Sequence, residues 1–242
     1  MTERARRRSD PASDTRRRLI AGALAAINQH GIAGVSARTI AAAAGGVNQA
    51  LVFYHFGGVD ELLAAACLAS TRERVARWSV EMAEVGSLRE LLAVGQRMHE
   101  EERAAGNVAV LAQLLAGAQT DPKLAEATGA ALALWVAEIE LVLRRTLAGQ
   151  PFSEVLDVPG LARAVSAAFV GLELYEGVDA DGAAQAIAAL DQLAVLFDVV
   201  EAMGPIARKA VRSRVARAAR ARPGRQPGVA GEPGSSGRPR PS

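Results

Sequence analysis

The sequence predicts an all-α protein, on three observations. No stretch sustains the period-two alternation of a half-buried strand, and no Asn-Gly or Asp-Gly hairpin turn joins two strand-like runs. Ala, Leu, Glu and Arg instead fill blocks in which apolar residues recur at helical spacing. Gly, Pro and Asp separate those blocks. With 242 residues, half of them apolar, the chain can bury a sizeable core as one or two domains. No run approaches the roughly 18 consecutive apolar residues that span a bilayer. "MTERARRRSD" is basic but has no apolar stretch behind it, unlike a secretory signal, so the expected setting is cytoplasmic, with no membrane partner.

The first helix is expected from Thr15 to about Gln29, capped by Ser13 or Asp14 and stopped at His30-Gly31. Its apolar stripe is Leu19, Ala23, Ala26 and Ile27. Ser36 caps a short second helix, Ala37 to Ala44, which Gly45-Gly46 ends. Asn48 caps a third, Gln49 to about His55, ended by Gly57-Gly58. A longer helix begins near Asp60 and reaches roughly Val85. Further helices are expected at about 87–105, 107–118, 121–148, 159–177 and 181–203, with breaks at "EVGS", "AGN", "TDPK", "AGQPFSEVLDVPG" and "GVDADG". After Gly204-Pro205 a basic helical pattern, "IARKAVRSRVARAARAR", leads into "PGRQPGVAGEPGSSGRPRPS". That last stretch has too few apolar residues to fold and is expected to be disordered.

A net charge of +2 hides a division along the chain. Residues 1–30 carry seven Arg against three acids, and residues 205–242 carry ten basic residues against Glu232 alone. Residues 31–204 are strongly acidic. Basic ends on an acidic middle suit a polyanion as partner for the ends; solvated charge runs would look the same on charge alone.

Two short helices joined by a Gly turn, with a third in front, form the arrangement of a helix-turn-helix. The stretch "VNQALVFYHF", Val47 to Phe56, holds three of the nine aromatic residues. At about 100° per residue, Val52 and Phe56 share one stripe and are expected in the core against Ile40, Leu24 and Ile27. Ala50 and Tyr54 point away, with Gln49, Phe53 and His55 on the flanks. Gln can bond adenine bidentately, and Ala or Leu can touch a thymine methyl. Tyr and His can donate to phosphates.

Here the residues carry a family resemblance. "TRRRLIAGALAAINQHGIAGVSARTIAAAAGGVNQALVFYHFGGVDELL", Thr15 to Leu63, resembles the N-terminal domain of the TetR family of transcriptional repressors. The matching elements are the first helix with its "HG" turn, "VS" and "IA" of the second, the Gly turn, a recognition helix ending in Tyr-His-Phe, and "DELL". The resemblance implies that Arg38 contacts bases or phosphates, with Ser36 and Thr39 meeting the backbone nearby. Asn48 opens the recognition helix. Gln49, Ala50 and Leu51 fall where the family reads bases, and Phe53, Tyr54 and His55 where it touches backbone or thymine methyls. Three departures stand out. "AGGV" has one Gly more than the usual spacing, Phe53 replaces a Tyr hydroxyl, and Val59 replaces a Lys.

The resemblance also implies a ligand-responsive bundle after the head, whose last two helices pair with a second copy. Val165, Phe169 and Leu172 on one, and Leu190, Leu193 and Phe197 on the other, are the expected dimer contacts; intramolecular packing is the alternative for such a stripe. Trp78, Met82, Met98, His99, Gln113 and Trp135 are eligible by type to line a ligand pocket. No charged pocket pattern stands out, which favours a largely apolar effector.

Catalytic and metal signatures are missing. His30, His55 and His99 are dispersed, without metal-ligand spacing. Cys67, the single cysteine, excludes an internal disulfide and reads as a buried thiol. Glu100–Glu102 reads as a solvated helix face. No metal, no cofactor and no enzyme activity are expected. The expected division is a basic arm (1–14), a helix-turn-helix head (15–59), a helical ligand-binding and dimerisation domain (60–204) and a basic tail (205–242). The function implied is a homodimeric regulator, most simply a repressor, that binds double-stranded operator DNA and answers to a small molecule. A helical dimer that binds nucleic acid nonspecifically through its Arg-rich ends is the alternative.

Overall fold

The computed structural model describes residues 11–221. The Arg4–Arg8 arm and residues 222–242 lie outside the described residues, as do the side chains of Leu193 and Phe197. Ten α-helices and no strand occur among the described residues: α1 (Pro11–His30), α2 (Ala37–Ala43), α3 (Ala50–Phe56), α4 (Val59–Glu84), α5 (Leu88–Ala104), α6 (Asn107–Ala118), α7 (Pro122–Thr146), α8 (Val158–Glu176), α9 (Ala180–Glu201) and α10 (Pro205–Ala221). Single 3-10 turns at Ile32–Gly34 and Ser153–Val155 lie between α1 and α2 and between α7 and α8.

Local chemistry explains most boundaries. Ser36 Oγ accepts from Thr39 N at 3.2 Å while Thr39 Oγ1 accepts from Ser36 N at 2.8 Å, a reciprocal capping box that starts α2. Asn48 Oδ1 accepts from Ala50 N at 2.9 Å, but the expected cap moves on by one residue: α3 starts at Ala50 with Gln49 as its N-cap, which makes no side-chain cap bond. Ser87, Asp121 and Asp157 cap α5, α7 and α8 through their side chains. Neither Ser13 nor Asp14 caps α1, because both lie inside the helix, which already includes Pro11, the first described residue. Proline suits a first turn, where its missing N–H costs no bond, and Asp14 then lies near the positive end of the helix dipole.

The extra glycine of "AGGV" ends α2 with two successive left-handed residues, Gly45 at φ 87° and Gly46 at φ 72°. Gly46 N and Val47 N both donate to Ala41 O, at 3.0 and 3.1 Å, which folds the chain back on the helix end. Residues with a Cβ rarely adopt this conformation even once.

The head core joins Leu19, Ala23, Ala26 and Ile27 of α1 to Ile40 of α2, Val52 of α3 and Leu62, Leu63 and Ala66 of α4. It continues without a break into Val110 and Leu114 of α6 and Leu124 and Ala131 of α7. A second core gathers Trp78, Met82 and Val85 with Val94, Met98 and Val142, and a third joins the end of α7 to α8. In the bundle, α7 packs on both α4 and α8, and α9 lies against α8 and α5. Arg145 fastens α7 to the end of α4: its guanidinium donates to Met82 O at 2.6 Å and to Val85 O at 3.0 and 2.9 Å.

The sharpest steric constraint in the head is Gly22, which the sequence reading passed over. A Cβ there would lie 2.8 Å from Ala44 Cβ, from Ala44 N and from Ile40 O. Two of those three atoms are backbone and cannot swing aside. Alanine would add about 1 kcal/mol of helix propensity, yet overpacking of this kind costs about 1–3 kcal/mol. Gly22→Ala is therefore expected to lower unfolding free energy by up to about 2 kcal/mol, read from the urea midpoint at unchanged slope. An equal or raised midpoint would show that the α1–α2 crossing has slack.

Candidate functional site

The recognition helix divides as its periodicity predicts. Val52 is fully buried, whereas Tyr54 is 81% and Phe53 55% exposed. Gln49 and Ala50 are exposed, and His55 is half-buried, edge-on to the Tyr54 ring. Phe56 is half-buried against the head core. Leu51 is also half-buried and leans on that core, so only part of it faces outward. Val59 likewise packs inward, which accounts for an apolar residue where the family resemblance implies a lysine.

Beside α3, Arg38 projects from α2 exposed, while the Ser36 and Thr39 hydroxyls are engaged in the capping box. Two arginines counted toward a polyanion partner are committed elsewhere. Arg16 donates to His55 O at 3.0 Å and lies 4.2 Å from the centre of the Phe56 ring. Arg18 donates through Nε and Nη2 to Ala44 O at 3.2 and 2.9 Å. Each cation thus satisfies a carbonyl at the negative end of a short helix and fixes it to α1.

The bundle encloses a cavity of about 400 Å³. Its wall runs from Leu24 of α1 through Cys67 and Met82 of α4, Met98 of α5, Leu111 and Leu114 of α6 and Trp135 of α7 to Phe169 of α8 and Leu190 of α9. Of the six residues proposed for a pocket, Met82, Met98 and Trp135 line it. Trp78 is buried in the neighbouring core. Gln113 is spent on structure: its Oε1 accepts from Ile32 N at 3.1 Å and holds the turn after α1 to α6. His99 sits at the cavity's edge, with Nδ1 3.6 Å from Glu173 Oε1 and Nε2 on the Glu176 carboxylate. Cys67 is buried, as expected, and burial raises its thiol pKa.

The expected pairing stripe lies differently. Val165, Phe169, Leu172 and Leu190 all line the cavity of their own chain. The outward faces of α8 and α9 present Leu174, Tyr175, Val195 and Val199, each 38–54% exposed, together with Leu190, which lines the cavity and is itself 38% exposed. On α8, period 3.6 fits both arrangements until the neighbouring helices are placed.

The wall also contains charge that the sequence reading did not anticipate. Glu102, expected on a solvated face, is 4% exposed. It accepts from Arg74 at 3.0 Å and Asn107 at 2.6 Å, and pairs with Arg77 at 3.5 Å. Three donors from α4 and α6 make its burial tolerable. Glu173 is 5% exposed, and His99 is its one ion-pair partner among the described residues. Burial pushes its carboxyl pKa up to about 7, with Glu102 adding to the rise and His99 and Arg74 opposing it. No His, Cys, Asp and Glu group suited to a metal ion occurs among the described residues, and no single described helix is long and apolar enough to cross a membrane.

The family described as bacterial regulatory proteins, tetR family, matches residues 19–66, from the buried Leu19 through the recognition helix to Ala66 on α4. Among solved structures, a protein from Rhodococcus sp. assigned as a TetR-family transcriptional regulator is 26% identical, with a TM-score of 0.63 over 78% of this chain and 98% of that one. A transcriptional regulator from Saccharomonospora viridis, solved in complex with choline, is 22% identical, with a TM-score of 0.60 over 76% of this chain and 95% of that one. The SmeT–triclosan complex is 22% identical, with a TM-score of 0.56 over 69% and 82%. Comparison with curated proteins gave no match. From Leu19 to Ala66 this chain thus carries the helix-turn-helix head of the TetR family, and the helical bundle behind it has the fold of a solved TetR-family transcriptional regulator.

Proposed function

We propose that the protein is a homodimeric repressor that binds a palindromic operator through α3 and is released when a small molecule enters the bundle cavity. The division of labour is a head at 15–59, a ligand-binding and dimerisation unit at 60–204, and a basic tail at 205–242 that adds nonspecific phosphate attraction. Gln49 and Ala50 read base edges, with Leu51 beside them. Arg38, Tyr54 and His55 bond phosphates, and Ser36, Thr39 and Asn48 hold the backbone N–H groups near them. Phe53 supplies apolar contact. Two such helices need a twofold partner to read two half-sites, and the exposed Leu174, Tyr175, Val195 and Val199 offer an apolar face for it. The setting is cytoplasmic, and no residue is assigned a catalytic step.

One observation carries the ligand-responsive part: Leu24, on the first helix of the head, is also a wall of the cavity. Anything that fills the cavity against Leu24 acts directly on the helix that holds α2 and α3. The choline and triclosan complexes of proteins with this fold support a small-molecule occupant. For release to follow, the ligand must favour one head arrangement over the other; equal affinity shifts nothing.

The reading is tested by fluorescence anisotropy with the protein's own upstream intergenic DNA against random duplex at physiological salt. Binding with no preference for the upstream DNA would instead favour nonspecific attachment through the Arg-rich ends. The face assignment makes a separate prediction. Tyr54→Ala and Gln49→Ala should each weaken operator binding about tenfold, roughly 1.4 kcal/mol, with melting temperatures within a few degrees of the parent. Val52→Asp should unfold the head by burying an unpaired charge, seen as lost helicity by circular dichroism. Equal thermal destabilisation by Tyr54→Ala and Val52→Asp would refute the assignment. Phe53→Tyr restores the hydroxyl that the family resemblance implies. It should tighten operator binding by about two- to tenfold, the net worth of one hydrogen bond, and an unchanged dissociation constant would place Phe53 away from the phosphates.

A further inference from the structure

The cavity is apolar except at one end, where α4, α5 and α8 bring charge into its wall. The charges there are unequally provided for. Glu102 has Arg74, Arg77 and Asn107, and Glu176 has His99 and, at 3.7 Å, Arg103. Glu173 has one ion-pair partner among the described residues, His99 Nδ1 at 3.6 Å, beyond a normal hydrogen bond. Glu173 shares that imidazole with Glu176, which lies on its other ring nitrogen, whereas Glu102 has two arginines. The buried acid in the wall is therefore the one left short of a cation. Phe169, edge-on to the His99 ring at 6.1 Å between centroids, and Trp135 contribute aromatic rings to the same wall.

We propose that the cavity takes an amphiphile with an apolar body and a single ammonium head, and that the head is held by the Glu173 carboxylate and the neighbouring aromatic rings. Attraction between a desolvated carboxylate and an ammonium is strong in a low-dielectric wall, and ring faces favour a cation further. An anionic amphiphile would meet Glu173 and Glu102 with like charge; Arg74 spends Nη1 on Glu102 and Nη2 on Thr71 and keeps only its buried Nε without a partner. This inference rests on the cavity being the effector site, and refines the effector from largely apolar to apolar with a positive end.

The charge state of Glu173 gives the proposal a pH signature. The groups facing it are His99 and Glu102 from α5, Arg74 from α4 and Glu176 from α8 itself; α6, α7 and α9 contribute no charged side chain to the described wall. With its carboxyl titrating near 7, Glu173 must lose a proton to hold a cation when pH is below that midpoint. A quaternary ammonium carries no titratable proton, so any pH dependence of its binding belongs to the protein.

The test is calorimetric titration of the full chain with decyltrimethylammonium, decanol and decanoate at about pH 6 and about pH 8. Near pH 8 the cation should bind at least tenfold tighter than the alcohol, and decanoate weakest. Toward pH 6 the cation should weaken by up to about tenfold per pH unit, while the alcohol stays flat. Glu173→Gln should cut cation affinity about tenfold or more, remove its pH dependence and leave the alcohol within twofold. Glu173→Asp should fall between the two.

Melting curves serve as the folding control. A carboxyl whose folded pKa is raised costs stability as pH rises from about 4.5 to about 7. Glu173→Gln should therefore melt higher than the parent at pH 8 and show a smaller or no advantage near pH 5. Failure of all three probes to bind, an alcohol or carboxylate that binds as tightly as the cation, or a cation preference that survives Glu173→Gln would each overturn the proposal. Cation binding with these signatures that leaves operator affinity unchanged would keep the ligand assignment and remove the effector reading.

Discussion

The arrangement depends on α1 being buried on more than one side. Its residues Leu19, Ala23, Ala26 and Ile27 close the head core, while Leu24 reaches the cavity and the turn after it is tied to α6 through Ile32 and Gln113. Because interiors pack like organic crystals, a helix held this way cannot move independently of either neighbour. The close crossing at Gly22 is the condition for it: only a residue without Cβ lets Ala44 and the Ile40 carbonyl approach so nearly. An apolar core without a break between head and bundle makes the two functional regions mechanically one body.

Charge in this protein is used less for display than its distribution along the chain suggests. Arg16, Arg18 and Arg145 each close the end of a helix, satisfying carbonyls that the helix leaves without partners. Lys123 pairs with Glu61 and so joins the starts of α7 and α4; the pairing lowers the Glu61 pKa and raises that of Lys123. Such exposed pairs add little stability individually, but they fix geometry. Arg38, by contrast, stands exposed beside the recognition helix, where a phosphate would find it. Counting arginines overstates what is available to a polyanion; knowing which helix end each one serves corrects the count.

Local features were legible in the sequence because their physics is local. Ser36 with a side-chain partner three residues on, the Gly45-Gly46 and Gly57 stops, and the opposed faces of Val52 and Tyr54 follow from hydrogen bonding, φ preference and a 3.6-residue period. What stayed hidden depends on residues far apart in the chain. Nothing around Glu102 in "HEEER" distinguishes it from its solvated neighbours until Arg74 and Asn107 are brought to it. Glu173 in "GLELYEG" looks like one more surface acid until α8 turns that face inward. The same rotation sends Val165, Phe169 and Leu172 to the cavity and leaves Leu174 and Tyr175 outside. For an apolar stripe on a helix, periodicity gives the angle between faces but not which face meets which neighbour.

The length of α4 has a geometric consequence of its own. As one unbroken helix of 26 residues, it is roughly 39 Å long at about 1.5 Å per residue. Leu62 and Leu63 near one end belong to the head core, and Met82 near the other belongs to the cavity wall. A tilt of about 5° about the middle of such a rod displaces each end by nearly 2 Å. Hydrogen bonds to base edges hold over only a few tenths of an ångström. Under the proposed reading, a change in cavity contents too small to alter the fold would be large enough, at the far end of the rod, to take the two recognition helices of a dimer out of register with their grooves.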